Sequence, residues 1–183
     1  DEKKVTLLSN RIRRRVKAGD FADFDAYYQH LTSPAGGEEL ESFLDVITTN
    51  ETSFFRTPKH FDWLRTELLS HYISKYQSNR QSPSLRFWSA GCANGAEPYT
   101  IAICLAENIY RLKDWSLTVI GTDISQEMLR VARSGVYGTR VMKGLTDQQR
   151  RRFFRRQAES DLWKVRPELR TMVTFERHNL MQA

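Results

Sequence analysis

Two cysteines and four histidines are all that the 183 residues offer to borderline or soft metals. Cys92 and Cys104 stand alone in apolar surroundings, and His30, His60, His71 and His178 are scattered without a ligand-spaced pair. The sequence therefore predicts no metal site and no disulfide framework, and a reducing cytoplasm suits two isolated thiols. Long apolar runs are missing too. The longest near the centre, residues 101–106 (IAICLA), falls far short of the roughly 20 residues that cross a bilayer. The leading DEKK has no apolar stretch behind it to read as a signal peptide. There is no Pro-Pro dipeptide, no internal repeat and no low-complexity tract. Acidic side chains are the minority: 22 Asp and Glu against 28 Lys and Arg leave a net charge of +6. That excess points to a polyanionic partner, or serves solubility alone.

What is present is organised around residues 85–103, LRFWSAGCANGAEPYTIAI. The pattern predicts a buried strand over 85–90, a glycine turn over 91–95 that Ala90 and Gly91 open, and a helix beginning near Glu97 and Pro98. This is the setting of a nucleotide-type cofactor. Glycine lets backbone approach a ligand, and the first helical turn has N–H groups to spare.

Ahead of this unit the chain reads as helical. Val5, Leu8, Ile12 and Val16 recur at helical spacing over residues 5–17. Arg11, Arg14 and Lys17 form a second stripe beside Arg13 and Arg15, readable as a solvated face or as a binding surface. Two more helices are expected over 24–31 and 38–47, on either side of the breakers SPAGG. TTNETSFFR (48–56) then crowds hydroxyl and amide groups beside two phenylalanines and an arginine. Thr52 or Ser53 would cap a following helix, or Asn50, Thr52 and Arg56 would line a polar pocket, with Arg56 offering a fork to a carboxylate. A helix over 58–76 leads to QSNRQSPS (77–84), the expected domain boundary. The expected division is a helical domain with its connecting helix over 1–76, a linker over 77–84, and an α/β domain over 85–183.

After the glycine loop the sequence predicts a helix over 98–112 and a second strand over 115–121, with Asp123 just past its end. A helix over 126–133 opened by Ser125, an arginine-rich helix from Thr146 to Arg156, and strands over 162–165 and 172–176 follow. Asn179 stands at the carboxyl end of the last strand. In doubly wound sheets ligands lie outside the carboxyl ends of the strands. Asp123 suits the two hydroxyls of a ribose, and Asn179 suits an adenine edge. The loop is G-x-x-x-G, not G-x-G-x-x-G, and Ala93 occupies the slot of the second glycine. Glu97 at the helix entry repels phosphate and suits a cationic or hydroxyl-bearing ligand. Together these favour S-adenosylmethionine over NAD. Each residue also has a local reading: Asp123 as a turn or capping residue, Glu97 as a helix-dipole partner, Asn179 as a strand-end turn.

In this order, TTNETSFFR, FWSAGCANGAEPYTIAI, IGTDIS, ARSGVYG, the arginine-rich segment and WKVRPELRTMVTFERHNLM resemble the chemotaxis receptor methyltransferases of the CheR type, over nearly the whole chain. The resemblance implies a small all-helical domain followed by a Rossmann-like methyltransferase domain that is truncated in its C-terminal part. It implies S-adenosylmethionine-dependent methylation of glutamate side chains on the cytoplasmic helices of chemoreceptors, in chemotaxis or a chemosensory-like pathway, with S-adenosylhomocysteine as product. Implied cofactor contacts are Asn50, Thr52, Arg56, Glu97, Asp123, Asn179 and Leu180, with Arg56 a candidate polar anchor. Arg11, Arg14, Arg15 and Lys17 would face the acidic receptor bundle. A monomer without nucleic acid or membrane insertion is expected. Some members carry a small β-subdomain for receptor tails, and no counterpart is expected here. Two alternatives are a non-catalytic S-adenosylmethionine-binding signalling module and a nucleic-acid methyltransferase. The missing Pro-Pro-aromatic segment speaks against amino-methylating members of the latter class.

Overall fold

The computed structural model describes residues 2–48, 50–76 and 83–182. The chain divides into two units, Asp1–Asn50 with Ser125–Glu127, and Glu51–Ile124 with Met128–Ala183.

The first unit holds three helices: α1 (Glu2–Ala18), α2 (Phe24–Thr32) and α3 (Gly37–Ile47), with a 3₁₀ turn at Pro34–Gly36 before α3. Asp23 caps α2, its Oδ1 accepting from the Ala26 N–H at 2.8 Å. A Cβ on Gly36 would lie 2.3 Å from the His30 carbonyl oxygen, so the turn needs glycine there. Of the apolar stripe expected on α1, Ile12 and Val16 are half-buried, whereas Val5 and Leu8 are exposed. What ties α1 to α3 is polar. The Arg15 guanidinium donates twice to Glu39, from Nε at 3.0 Å and from Nη2 at 2.5 Å, and the buried Tyr27 hydroxyl donates to the same carboxylate at 2.7 Å.

This triad makes the helical unit acid-sensitive. The hydrogen bonds from Arg15 hold the Glu39 carboxyl below its ordinary range, against the opposing effect of burial. A depressed carboxylate contributes stability above its unfolded pKa and loses it as pH falls through the lower folded value. Burial, then the bond to Glu39, pushes Tyr27 up to about 12, so a second loss comes in alkali, between its unfolded value and about 12. Glu39→Gln is expected to cost the unit about 1–3 kcal/mol at neutral pH and to flatten the acid limb of a helicity-versus-pH curve measured by circular dichroism. An unchanged acid limb would remove the triad as its cause.

The second unit opens with α4 (Pro58–Trp63), which passes through a π-helical turn (Leu64–Leu68) into α5 (Leu69–Tyr76). The expected boundary at 77–84 is corrected on this point. Phe54, Phe55, Phe61, Leu64, Leu69 and Ile73 belong to the hydrophobic core of the α/β unit, so the helices over 58–76 belong to it as well. Of the expected linker, residues 77–82 lie outside the described residues.

β1 (Ser84–Ala90) leads through the glycine loop to α6 (Ala96–Glu107), and β2 (Ser116–Asp123), α7 (Gln126–Ser134) and β3 (Val136–Gly138) follow. Then come α8 (Asp147–Phe153), β4 (Phe154–Arg156), β5 (Leu162–Val165), α9 (Pro167–Arg170) and β6 (Val173–Arg177). β1, β2 and β6 form a parallel sheet in the order β1-β2-β6, with Ala90 beside Thr122 and Asp123 beside Arg177. All three carboxyl ends therefore share one edge. α6 is buried at every residue from Pro98 to Leu105, and a Cβ on Gly121 would lie 2.8 Å from Pro98 Cγ, so β2 admits this helix only with glycine there. Asp123 is the last residue of β2 rather than a residue beyond it.

A second sheet departs from expectation. β3, β5 and β4 pair antiparallel in the order β3-β5-β4. A small antiparallel sheet is thus present where none was expected, and the arginine-rich segment is helical only to Phe153 before it extends into β4. A capping box between Thr146 and Gln149 starts α8. No helix among the described residues is long and apolar enough to cross a membrane.

Candidate cofactor site

The loop between β1 and α6 is shaped by three residues in the left-handed region: Gly91 (φ +70°), Ala93 (φ +47°) and Gly95 (φ +83°). Gly95 has no alternative, since a Cβ there would lie 2.7 Å from that of Ala132. Around Gly91 the reverse holds: nothing lies within 4 Å of where its Cβ would be, which leaves room for a ligand against the backbone. Ala93 adopts a conformation that costs roughly 1–2 kcal/mol in a residue with a Cβ. Its N–H donates to Asp123 Oδ2 at 2.7 Å, which holds it there. Cys92 N–H extends the β1–β2 ladder by donating to the Thr122 carbonyl at 2.8 Å.

Asp123 is buried, and its carbonyl oxygen accepts from the His178 N–H at 3.0 Å, which brings the end of β6 beside it. Glu97 stands exposed in the first turn of α6, and its Oε1 accepts from the buried Ser89 hydroxyl at 2.7 Å. Two carboxylates therefore flank the loop on one edge of the sheet, each fixed by a neighbour. Burial, and after it the charge of Asp123, pushes the Cys92 thiol up to about 12, so this cysteine packs as a neutral group and is no nucleophile.

The remaining candidates are placed as follows. Asn179 Oδ1 accepts from Met181 N–H at 3.0 Å, the strand-end turn foreseen as its local role, and Leu180 is exposed beside it. Arg56 is exposed and donates from Nη1 to the Glu51 carbonyl at 2.8 Å, while Thr52 is half-buried. The helix after this segment starts at Pro58 with Thr57 at its N-cap, so neither Thr52 nor Ser53 is the cap. Asn50 belongs to the first unit, where its Nδ2 donates to Thr48 Oγ1 at 3.1 Å. In that unit the basic stripe separates into two sets. Arg11 donates from Nη1 to the Ile47 and Thr48 carbonyls, both at 3.0 Å, and Arg15 is held by Glu39. Arg14 and Lys17 are exposed.

Sequence reasoning missed Ser89, which fixes Glu97. The one signal available was a small hydroxyl at a position of β1 that faces inward. A cavity of about 420 Å³ has Glu97 in its wall with Trp63, Phe87 and Ile101, while Asp123 and Asn179 lie outside it. Hollows of about 910 and 560 Å³ lie along the small antiparallel sheet, lined by residues of 155–171, and include no residue of the loop.

Residues 50–183 match the family model described as CheR methyltransferase, SAM binding domain, and residues 1–48 match CheR methyltransferase, all-alpha domain. The chain belongs to the CheR methyltransferase family. It is 35% identical over 181 residues to the chemotaxis protein methyltransferase of Borreliella burgdorferi, covering 98% of this chain and 63% of that protein. It is likewise 35% identical over 181 residues to the chemotaxis protein methyltransferase of Escherichia coli K12, covering 97% and 59%. Chemotaxis protein methyltransferase 2 of Pseudomonas aeruginosa is 34% identical over 184 residues, covering 100% and 62%. This CheR chain thus spans about three fifths of the length of these relatives. Its cofactor is S-adenosylmethionine, and the residues around the loop fit that molecule: Glu97 at its helix end, Asp123 against Ala93 in its middle, open space over Gly91, and no second glycine to receive a pyrophosphate.

Proposed function

We propose that this chain holds S-adenosylmethionine in a protein-glutamate O-methyltransferase that modifies the cytoplasmic helices of chemoreceptors, acting in the cytoplasm as a monomer. The observation that supports it most is the pair of fixed carboxylates, Glu97 and Asp123, on either side of a loop without the phosphate-binding glycine pattern. When bound, S-adenosylmethionine supplies a methyl group on a sulfonium; its transfer to a glutamate oxygen forms an ester and leaves S-adenosylhomocysteine. Glu97, oriented by Ser89, favours the cationic end of such a ligand. Asp123 accepts hydrogen bonds from ribose hydroxyls while it fixes Ala93. Thr52, Arg56, Ala90, Gly91, Asn179 and Leu180 complete the contacts in this reading. The acceptor is a carboxylate already ionised near neutral pH, so positioning and removal of water carry the acceleration in place of a strong base.

Methyl transfer from labelled S-adenosylmethionine to purified receptor cytoplasmic fragments, run with the intact protein, tests this reading. The label is expected in protein as a base-labile ester. Binding without transfer would favour a signalling module, and label in nucleic acid would favour the other alternative.

The exposed Arg14 and Lys17 give the acidic receptor a docking face. Reversing both to Glu is expected to slow receptor methylation about tenfold at low salt and less at high salt, where screening has already weakened the attraction. Affinity for S-adenosylhomocysteine should stay unchanged. An unaltered rate at low salt would take this face out of the interaction. Arg11 and Arg15 are unsuitable for the test because they hold α1 against α3.

A further inference from the structure

We infer that Tyr137, on β3 of the small antiparallel sheet, is a positioning residue for the cofactor loop; the inference rests on the reading that this loop holds S-adenosylmethionine. The Tyr137 side chain is buried, and its hydroxyl donates to the Asn94 carbonyl at 2.8 Å. Asn94 lies between two residues with positive φ, Ala93 and Gly95, so its carbonyl points out of any regular ladder. A half-buried carbonyl outside the ladder is left to side chains or water, and Tyr137 supplies a donor to it.

The loop is thereby pinned at successive residues by three contacts from two elements. Thr122 receives the Cys92 N–H, Asp123 receives the Ala93 N–H, and Tyr137 donates to Asn94. The first two come from the neighbouring strand β2. The third comes from the other sheet and links that sheet to the loop through a hydrogen bond.

Ring packing alone does not account for a tyrosine here. The Tyr137 ring stands edge-on to Phe54 at 5.0 Å and to Tyr99 at 6.2 Å, contacts that a phenylalanine would keep. The hydroxyl is spent on the loop. Burial also raises the Tyr137 phenol well above its ordinary range, so it remains a donor throughout the neutral and mildly alkaline range. Tyr99 provides an internal comparison: it is equally buried, but its hydroxyl donates at 3.3 Å to the Ala132 carbonyl of α7 and not to the loop.

The test is calorimetric titration of S-adenosylhomocysteine into three variants, with thermal melting of each. Tyr137→Phe is expected to bind about tenfold more weakly, a change of about 1.4 kcal/mol. Tyr99→Phe should bind within about twofold of the parent protein, although it loses a hydrogen bond of the same kind. Placing 4-aminophenylalanine at 137 restores an N–H donor and should recover most of the affinity. A purely structural role would lower the Tm of both phenylalanine variants and leave both affinities alone. Parent-like affinity in Tyr137→Phe, or equal weakening in both, overturns the inference. If the unmodified chain binds no S-adenosylhomocysteine, the reading of the site fails instead. Amide exchange over residues 92–96 then tests positioning by itself: it should be faster in Tyr137→Phe than in Tyr99→Phe, and equal rates would overturn the proposal.

Discussion

Asp123→Ala is expected to weaken S-adenosylhomocysteine binding about a hundredfold, or roughly 2.7 kcal/mol, measured by calorimetry. The size follows from two losses at once. The carboxylate is the acceptor proposed for the ribose hydroxyls, and it also clamps the Ala93 N–H at 2.7 Å. Hydrogen bonds to a charged group are worth roughly 1.5–3 kcal/mol each, and they add imperfectly when they share one acceptor. Ala93 makes the second loss more severe, because its left-handed backbone has less reason to persist once the clamp is gone. Asp123→Asn separates the two effects. Its carbonyl oxygen can still receive the Ala93 N–H, while the charge and the second acceptor oxygen are lost, and an intermediate weakening of about tenfold is expected. Full affinity in the alanine variant would take Asp123 out of the site.

The candidates legible in sequence are those announced by their position along the chain. Asp123 ends a run of β-branched and apolar residues, and Glu97 opens a helix after a glycine turn, so the order of elements offered both as candidates, and their carboxylates bond Ala93 and Ser89. Ser89 and Tyr137 were invisible because their partners, Glu97 and Asn94, are supplied by folding; nothing in a strand pattern tells which buried hydroxyl will meet which carbonyl. The small sheet escaped for a different reason. Strands of three or four residues, such as β3 and β5, are too short to show alternation. The domain boundary was misplaced because helical periodicity over 58–76 reports that one face is buried, not against what. The polar stretch at 77–84 looked like the stronger break, whereas Phe54 and Phe55 had already committed the chain to the α/β core. In the basic stripe, spacing grouped Arg11 with Arg14 and Lys17, yet Arg11 and Arg15, one turn apart, both face α3. Charge alone could not separate exposed arginines from arginines that hold the fold.

Phe54→Ala tests that commitment and carries the largest expected loss of stability. The side chain is fully buried, with its ring edge-on to Tyr137 at 5.0 Å and to Phe154 at 5.2 Å. The Phe54 N–H donates to the Val141 carbonyl at 3.0 Å, and the next residue, Phe55, has φ +52° and donates its N–H to Thr100 Oγ1 at 3.3 Å. The backbone is thus held on both sides of the cavity that truncation would open, so neighbouring groups have little freedom to fill it. A buried phenylalanine lost under those conditions costs about 3–5 kcal/mol, which should lower the Tm of the α/β unit by about 10 °C. A loss below about 1 kcal/mol would mean that residues 52–56 are not packed into this core. Because Phe54 also braces the ring of Tyr137, variant that is still folded at low temperature should bind S-adenosylhomocysteine more weakly than its parent. Phe54→Leu keeps most of the volume and should recover part of both properties. Recovery of stability without recovery of affinity would show that the edge contact with Tyr137, rather than the filled volume, transmits the effect to the loop.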